Sequence, residues 1–277
     1  MASVEFSAVA LLRIAKHCFH DQASVVSGCL LGLDDDTGRV EVTNVFLHPS
    51  RGAADFQPQQ EEGAADAAGE YQSECLKLLK AAGLDANIVG WFQSSSLSSF
   101  ATEATVEIQF DFQTQNGNSV LVIADPADGI RAFRLSAAYM RFQKTMRDRR
   151  AQGPATLITG GPVAFNTATE SVFEEVAITA NLSVLDEAYL FENRKTACAS
   201  PKPVPMTTAV QQLAETVEDL ALEKVRFAQL SQNFKVTGAT RIRGEDEAKR
   251  MQSASDLILL TENAKRLVTH NAQRMRQ

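Results

Sequence analysis

No apolar run in the chain approaches the ~18 residues a membrane-spanning helix needs. No basic stretch precedes an apolar core at its start, so neither a membrane span nor a signal peptide is expected. The four cysteines, Cys18, Cys29, Cys75 and Cys198, form no CxxC pair. Scattered thiols of this kind point to a reduced, cytoplasmic setting, and Cys29, inside an apolar run, reads as a small core residue. Histidine is as scarce, with four residues, of which only His17 and His20 are close in sequence. At i, i+3 on a helix both can reach one ion, but no third ligand is evident, and a cationic helix end is the plainer reading. No G-x-x-x-x-G-K-[ST] run occurs. Gly160-Gly161-Pro162 lacks the lysine and the following helix, and reads as a turn. Nothing nominates a Ser-His-Asp or Cys-His constellation.

What is present is ordinary for a globular chain of 277 residues: 44% hydrophobic and 22% charged. That length holds one sizeable domain plus an extension, or two domains. The charge is uneven. From Pro201 onward there are 12 Lys and Arg against 9 Asp and Glu, a net of +3, which leaves −10 for the remainder of a chain whose total is −7. The front of the protein repels nucleic acid on average, and the tail does not.

Helices alternate with strands over the first two thirds, which indicates an α/β domain. Val4 to Phe6 reads as a strand, and Ser7 caps a helix running to His20 with Val9, Leu12 and Ala15 or Lys16 on one face, widened by Leu11 and Ile14. Val25 to Leu33 and Arg39 to Leu47 form a hairpin around Asp34–Gly38. The Ala/Gln-rich stretch 50–68 reads as a mobile loop. A helix begins near Glu70 with Leu76, Leu79 and Ala82 on one face. Strands follow at Ile88 to Phe92, Ser119 to Ala124 and Ile130 to Leu135, with a helix over Phe100 to Phe112. Pro201, Pro203 and Pro205 mark a linker. Beyond it two long helices carry narrow apolar stripes, Leu213, Val217, Leu220, Phe227, Phe234 and Leu257, Leu260, Ala264, Leu267. Two such helices bury little surface alone, so partner helices are expected.

Three blocks carry a resemblance. Val26-Ser27-Gly28-Cys29-Leu30-Leu31-Gly32 has apolar residues around a G-x-x-x-G. Val89-Gly90-Trp91-Phe92-Gln93-Ser94 is followed by Ser99-Phe100-Ala101-Thr102. Ser119 to Pro126 is a strand ending in Asp-Pro. Together they resemble the MPN family, also called JAMM-like. With Phe173-Glu174-Glu175-Val176-Ala177-Ile178, Asn181-Leu182 and the helix from Asp256-Leu257-Ile258-Leu259, the pattern is similar to its non-catalytic branch in eukaryotic translation initiation factor 3. The resemblance implies a mixed sheet flanked by helices over 1–186. A connecting segment and Pro-rich linker over 187–205 and a region of amphipathic helices over 206–277 would follow, the latter joining a helical bundle shared by several subunits.

Catalytic members of the family hold zinc with two histidines and an aspartate, and use a glutamate base and a serine. By resemblance these positions fall on Val25, Gln93, Ser95, Glu103 and Val106. Neutral Gln and Ser are poor zinc ligands and Val25 cannot activate water, so a degenerate site without metal, cofactor or catalysis is expected. An altered metal site on Glu103, Glu107 or Asp111 would lack any nearby histidine. The run Arg141, Lys144, Arg147, Arg149, Arg150 can meet ribosomal RNA phosphate, although a solvated helix face explains it as well.

The resemblance implies a cytoplasmic scaffold subunit for translation initiation. Its partners would be other initiation factor 3 subunits, a second MPN subunit and PCI-type subunits, and through them the small ribosomal subunit. A non-catalytic MPN subunit of the proteasome lid or signalosome, and a zinc isopeptidase, are the alternatives.

Overall fold

Val4 and Phe6 alternate with Ser3, Glu5 and Ser7, and this period of two makes strand β1, Ser3–Ser7. A computed structural model describes residues 3–20, 25–35, 38–48, 62–97, 99–125, 128–152, 165–167, 170–188, 192, 205–237 and 244–274. Ser7 ends the strand and starts helix α1, Ala8–His20. Its Oγ accepts from the Ala10 N–H at 3.2 Å and donates to the Thr43 carbonyl at 2.8 Å, which satisfies one of the free donors at the helix start.

The predicted hairpin forms from β2, Ser27–Asp34, and β3, Arg39–Leu47. The two glycines of β2 are required by close approach. A Cβ on Gly28 would lie 2.2 Å from the Phe46 carbonyl oxygen, and one on Gly32 would lie 1.8 Å from that of Glu41. Helix α2, Glu62–Ala81, follows. Strand β4, Ile88–Ser94, leads through a loop to helix α3, Glu103–Gln115. Strands β5, Val120–Asp125, and β6, Gly129–Leu135, precede helix α4, Ala137–Gln152, and strand β7, Phe173–Asn181. Helices α5, Met206–Thr237, and α6, Gly244–Arg274, complete the described chain.

The strands close into a barrel in the order β1-β3-β2-β4-β5-β6-β7. Strand β1 runs parallel to both β3 and β7, β2 is antiparallel to β3 and β4, β4 is parallel to β5, and β5 is antiparallel to β6. The sheet is therefore mixed, as the family resemblance implies. Phe6, Leu30, Val42, Phe92 and Val122 fill its core, with Ile14 and Cys18 of α1 packed into the same cluster.

Four local expectations are corrected. On α1 the buried face is Ala10, Ile14 and Cys18, while Val9 and Leu12 are exposed. Both faces are apolar, so periodicity alone does not choose between them. Helix α2 begins at Glu62, ahead of Glu70, because the Ala-rich stretch assigned to the loop favours helix. On its face Leu76 and Leu79 are half-buried but Ala82 is exposed. Helix α3 starts at Glu103, after Phe100, because Thr102 caps it: the Thr105 N–H donates to Thr102 Oγ at 3.2 Å. Loop positions 49–61, the Pro-rich linker and most of 187–205 lie outside the described residues.

The chain divides into two compact units. One comprises Met1–Leu97, Asp111–Arg134 and Glu175–Pro203; the other comprises Ser98–Phe110, Leu135–Glu174 and Val204–Gln277. In the second unit α5 pairs with α6. Tyr139 and Phe142 of α4 pack edge-on and tilted against the Phe165 ring, at centroid distances of 5.3 and 5.8 Å.

Candidate functional site

Strand β4 owes its place between β2 and β5 to Gly90. A Cβ there would lie 2.1 Å from the Val120 carbonyl oxygen, and the tight approach draws Trp91 and Phe92 into full burial. The strand end is fastened on both sides. The Ser94 N–H donates to the Val26 carbonyl at 2.7 Å, and Ser94 Oγ accepts from the Val26 N–H at 2.8 Å. On the other side the Ser95 N–H donates to the Ala124 carbonyl at 3.0 Å. Leu97, buried in the loop beyond, has φ of 56°, a left-handed conformation that costs a non-glycine residue about 1 kcal/mol or more.

Of the five positions the resemblance names, three belong to the first unit and two to the second. In the first, Gln93 is half-buried and lies opposite Ser27 in the ladder. Ser95 Oγ is enclosed and has no hydrogen-bond partner among the described residues. Val25 is 51% exposed. In the second, Val106 is buried inside α3. The Glu103 carboxylate at the start of that helix accepts from Gln252 Nε2 at 2.7 Å. These groups do not fit zinc: an amide, an enclosed hydroxyl and a buried aliphatic side chain replace imidazoles and carboxylate. Among the described residues no group of three or more His, Cys, Asp or Glu is placed to hold a metal. Glu107 is half-buried and Asp111 exposed on α3.

Burial, and then Lys16 and Arg13, hold the His17 imidazole below its ordinary pKa. The His20 side chain lies outside the described residues, as do those of Arg150 and Phe234. Sequence reasoning missed the contact between His48 and Cys29, whose Nε2 and Sγ are 3.4 Å apart. The signal lies in the hairpin register, which sets Cys29 opposite Phe46, two residues before His48.

The basic run on α4 does not form one face. Arg141 and Lys144 are exposed with Asp148, whereas the Arg147 guanidinium lies over the Phe110 ring at 4.4 Å.

Of the predicted stripe on α5, Leu213, Leu220 and Phe227 are half-buried and Val217 is 49% exposed. Val210, Leu222 and Val225 are exposed too, so α5 keeps an apolar outward face. On α6, Leu267 is fully buried and Leu257, Leu260 and Ala264 are half-buried. Met251, Ile258, Leu259, Glu262 and Asn263 are buried as well. The narrow stripe expected on α6 is thus a broad band. Within the second unit the helix meets α5 and also the segment before α3, through the hydrogen bonds of Asn263 to Ala101. Arg266 adds to this, lying over Phe100 at 4.8 Å and Phe173 at 5.6 Å while pairing with Glu262 at 3.0 Å.

No helix among the described residues is long and apolar enough to cross a membrane. Residues 1–118 match the family model described as JAB1/Mov34/MPN/PAD-1 ubiquitin protease. Similar curated proteins are named as the H component of eukaryotic translation initiation factor 3. That of Pyricularia oryzae is 33% identical over 154 residues, covering 50% of this chain and 42% of the relative. That of Dictyostelium discoideum is 29% identical over 196 residues, covering 68% and 56%. That of Arabidopsis thaliana is 32% identical over 197 residues, covering 68% and 53%. The chain spans about half the length of the curated relatives it matches.

Proposed function

The chain carries an MPN domain of the JAB1/Mov34/MPN/PAD-1 family, and from that premise we propose that it is a non-catalytic scaffold subunit of the eukaryotic translation initiation factor 3 complex. What carries the reading is the run Gly90-Trp91-Phe92-Gln93-Ser94-Ser95 in its place. It is an MPN strand end whose ligand positions hold an amide and an enclosed hydroxyl, in a chain similar over about two thirds of its length to the H components of that factor. The protein works through surfaces. Residues 1–186 supply the MPN domain, and after the connecting segment 187–205 the helical region 206–277 meets helices of other subunits.

The outward face of α5 supports the helical contact. Val217 and Val225 are 49% and 56% exposed, two turns apart on one flank, and apolar side chains so placed gain by burial against a partner helix. Leu213, Leu220, Leu257 and Leu260, half-buried within the unit, act less directly: they hold the α5–α6 pair in shape. A second MPN subunit and PCI-type subunits are the proposed neighbours, with the small ribosomal subunit reached through the complex in the cytoplasm.

A tagged full chain carrying V217D and V225D tests this. The wild-type chain is expected to co-purify with initiation factor 3 subunits and to sediment with free small ribosomal subunits. The double variant is expected to lose both while keeping its circular dichroism and melting temperature. Co-purification of wild type with proteasome-lid or signalosome subunits would overturn the assignment. Stoichiometric zinc together with cleavage of diubiquitin would overturn the non-catalytic reading.

A further inference from the structure

The turn between α3 and β5 holds the chain's one Asn-Gly pair, Asn116-Gly117. Asparagine is a thermolabile residue, and a following glycine has no side chain to hinder its own backbone nitrogen as it approaches the amide carbon. Here that nitrogen is free. Gly117 is exposed, a Cβ on it would meet nothing within 4 Å, and its N–H donates to no group among the described residues.

The Asn116 side chain is held at both ends. Its Oδ1 accepts from the Asn118 N–H at 2.9 Å, which draws charge from the amide carbon and serves the oxygen on which an oxyanion would develop. Its Nδ2 donates to the Asp34 carboxylate at 3.0 Å, so the nitrogen that would leave lies against a negative charge. The same carboxylate accepts from Asn87 Nδ2 at 3.4 Å, and Asn118 Nδ2 donates to the Asp35 carbonyl at 3.0 Å. These bonds latch the α3–β5 turn to the tip of the β2–β3 hairpin, all within the first unit. The neighbouring pair Asn118-Ser119 lacks a free nucleophile: Ser119 is buried and its N–H donates to the Asn116 carbonyl at 2.9 Å.

We propose that Asn116-Gly117 is a self-modifying site, which deamidates through a succinimide to aspartate and isoaspartate and so opens this latch. Hydroxide from the solvent takes the Gly117 amide proton, and the nitrogen attacks Asn116 Cγ. The Cγ–Nδ2 bond breaks, and Nδ2 takes a proton from water and leaves as ammonia, which returns the hydroxide. Water then opens the ring. Cleavage at Cγ gives aspartate, and cleavage at the former backbone carbonyl gives isoaspartate. One water is consumed and one ammonia released. Either product removes the donor to Asp34. In aspartate a carboxylate takes its place, so an attraction becomes a repulsion between like charges. In isoaspartate the main chain runs through Cγ, and the carbonyl that accepts from the Ser119 N–H no longer belongs to it.

The full chain is incubated at physiological pH and temperature and digested for peptide mapping. Asn116 is expected to convert ahead of Asn118 and the other asparagines, with isoaspartate at this position detected by an isoaspartyl carboxyl methyltransferase and a labelled methyl donor. Hydroxylamine, which traps the succinimide, is expected to cut the chain between Asn116 and Gly117. G117A puts a side chain beside the attacking nitrogen and is expected to keep Asn116 unconverted over the same period. N116D stands for the aspartate product and is expected to lower the melting temperature, by less in a D34N background. Conversion of another asparagine first, or conversion of Asn116 only in urea-unfolded chain, would overturn the self-modifying site. An equal loss from N116D with and without D34N would overturn the latch.

Discussion

Asn263 grips the backbone of Ala101 from both sides: its Oδ1 accepts the Ala101 N–H at 3.0 Å, and its Nδ2 donates to the Ala101 carbonyl at 2.8 Å. The side chain thus does for Ala101 what a neighbouring strand would do, at 162 residues' separation and in a buried setting. The turn of chain that leads into α3 is fixed by the last helix of the same unit.

Asn263→Leu keeps comparable bulk but strands two buried backbone groups. A buried unpaired group costs about 1–3 kcal/mol, so the variant is expected to lose about 2–4 kcal/mol in a urea titration, with partial rescue in Asn263→Gln. A loss below about 0.5 kcal/mol, the range of an ordinary surface change, would show that the pair of bonds contributes little.

Asp256 gives a pH signature. Burial, then Glu103 and next Glu223, raise its carboxyl above the ordinary 3.8, while Gln252 and Arg226 pull it down. Its folded pKa therefore exceeds its unfolded one. The folded state takes up the proton first as pH falls, so this group's contribution to stability grows through the folded pKa and is complete below 3.8. At neutral pH the ionised carboxylate is unfavourable. Asp256→Asn is expected to raise the melting temperature at pH 7 and to leave it unchanged near pH 3. The reverse order in a thermal scan would contradict the assignment of burial as the leading cause.

Gln93→His with Ser95→His returns two imidazoles to the strand end. By resemblance the third ligand falls on Val106, an aliphatic residue buried in α3, and the base falls on Val25, which can take no proton. The double variant is expected to bind zinc at well under one ion per chain and to leave diubiquitin uncut. Zinc at one per chain, measured by plasma emission after dialysis, would show that two histidines suffice here.

Gly32→Ala tests the close approach of β2 and β3. The added Cβ would sit 1.8 Å from the Glu41 carbonyl oxygen, a backbone atom in mid-ladder that cannot swing aside. Overpacking a tight site costs about 1–3 kcal/mol and more when backbone must shift. Loss of soluble folded protein, or a drop of this size, is expected; Gly117→Ala, with open space around its Cβ, is the control and should change little.

The apolar runs of the first 135 residues fixed where the strands lie: they alternate in β1 and the first half of β3, where one face is buried, and are continuous in β2, β4 and β5, which are buried on both faces. The glycines of β2 and β4, the hairpin turn at Asp34–Gly38 and the Ser7 cap were likewise legible, since local sterics and short-range hydrogen bonds determine them. The absence of imidazole and carboxylate from Gln93, Ser95 and Val106 needed only residue chemistry once the resemblance supplied the positions. Tertiary structure decided between competing apolar faces. Helix α1 carries Val9-Leu12 and Ala10-Ile14 equally well in sequence, and only contact with the barrel selects the second pair. The band on α6 was hidden because Glu262 and Asn263 are polar, and a polar residue reads as exposed until Arg266 and the Ala101 backbone are brought to it. The Cys29–His48 contact was hidden for a like reason: the hairpin brings together two residues 19 positions apart. Sequence by itself determined the local elements and which residue types stand at the positions the resemblance supplies; long-range pairing decided which faces are buried, because burial is a property of the partner as much as of the residue.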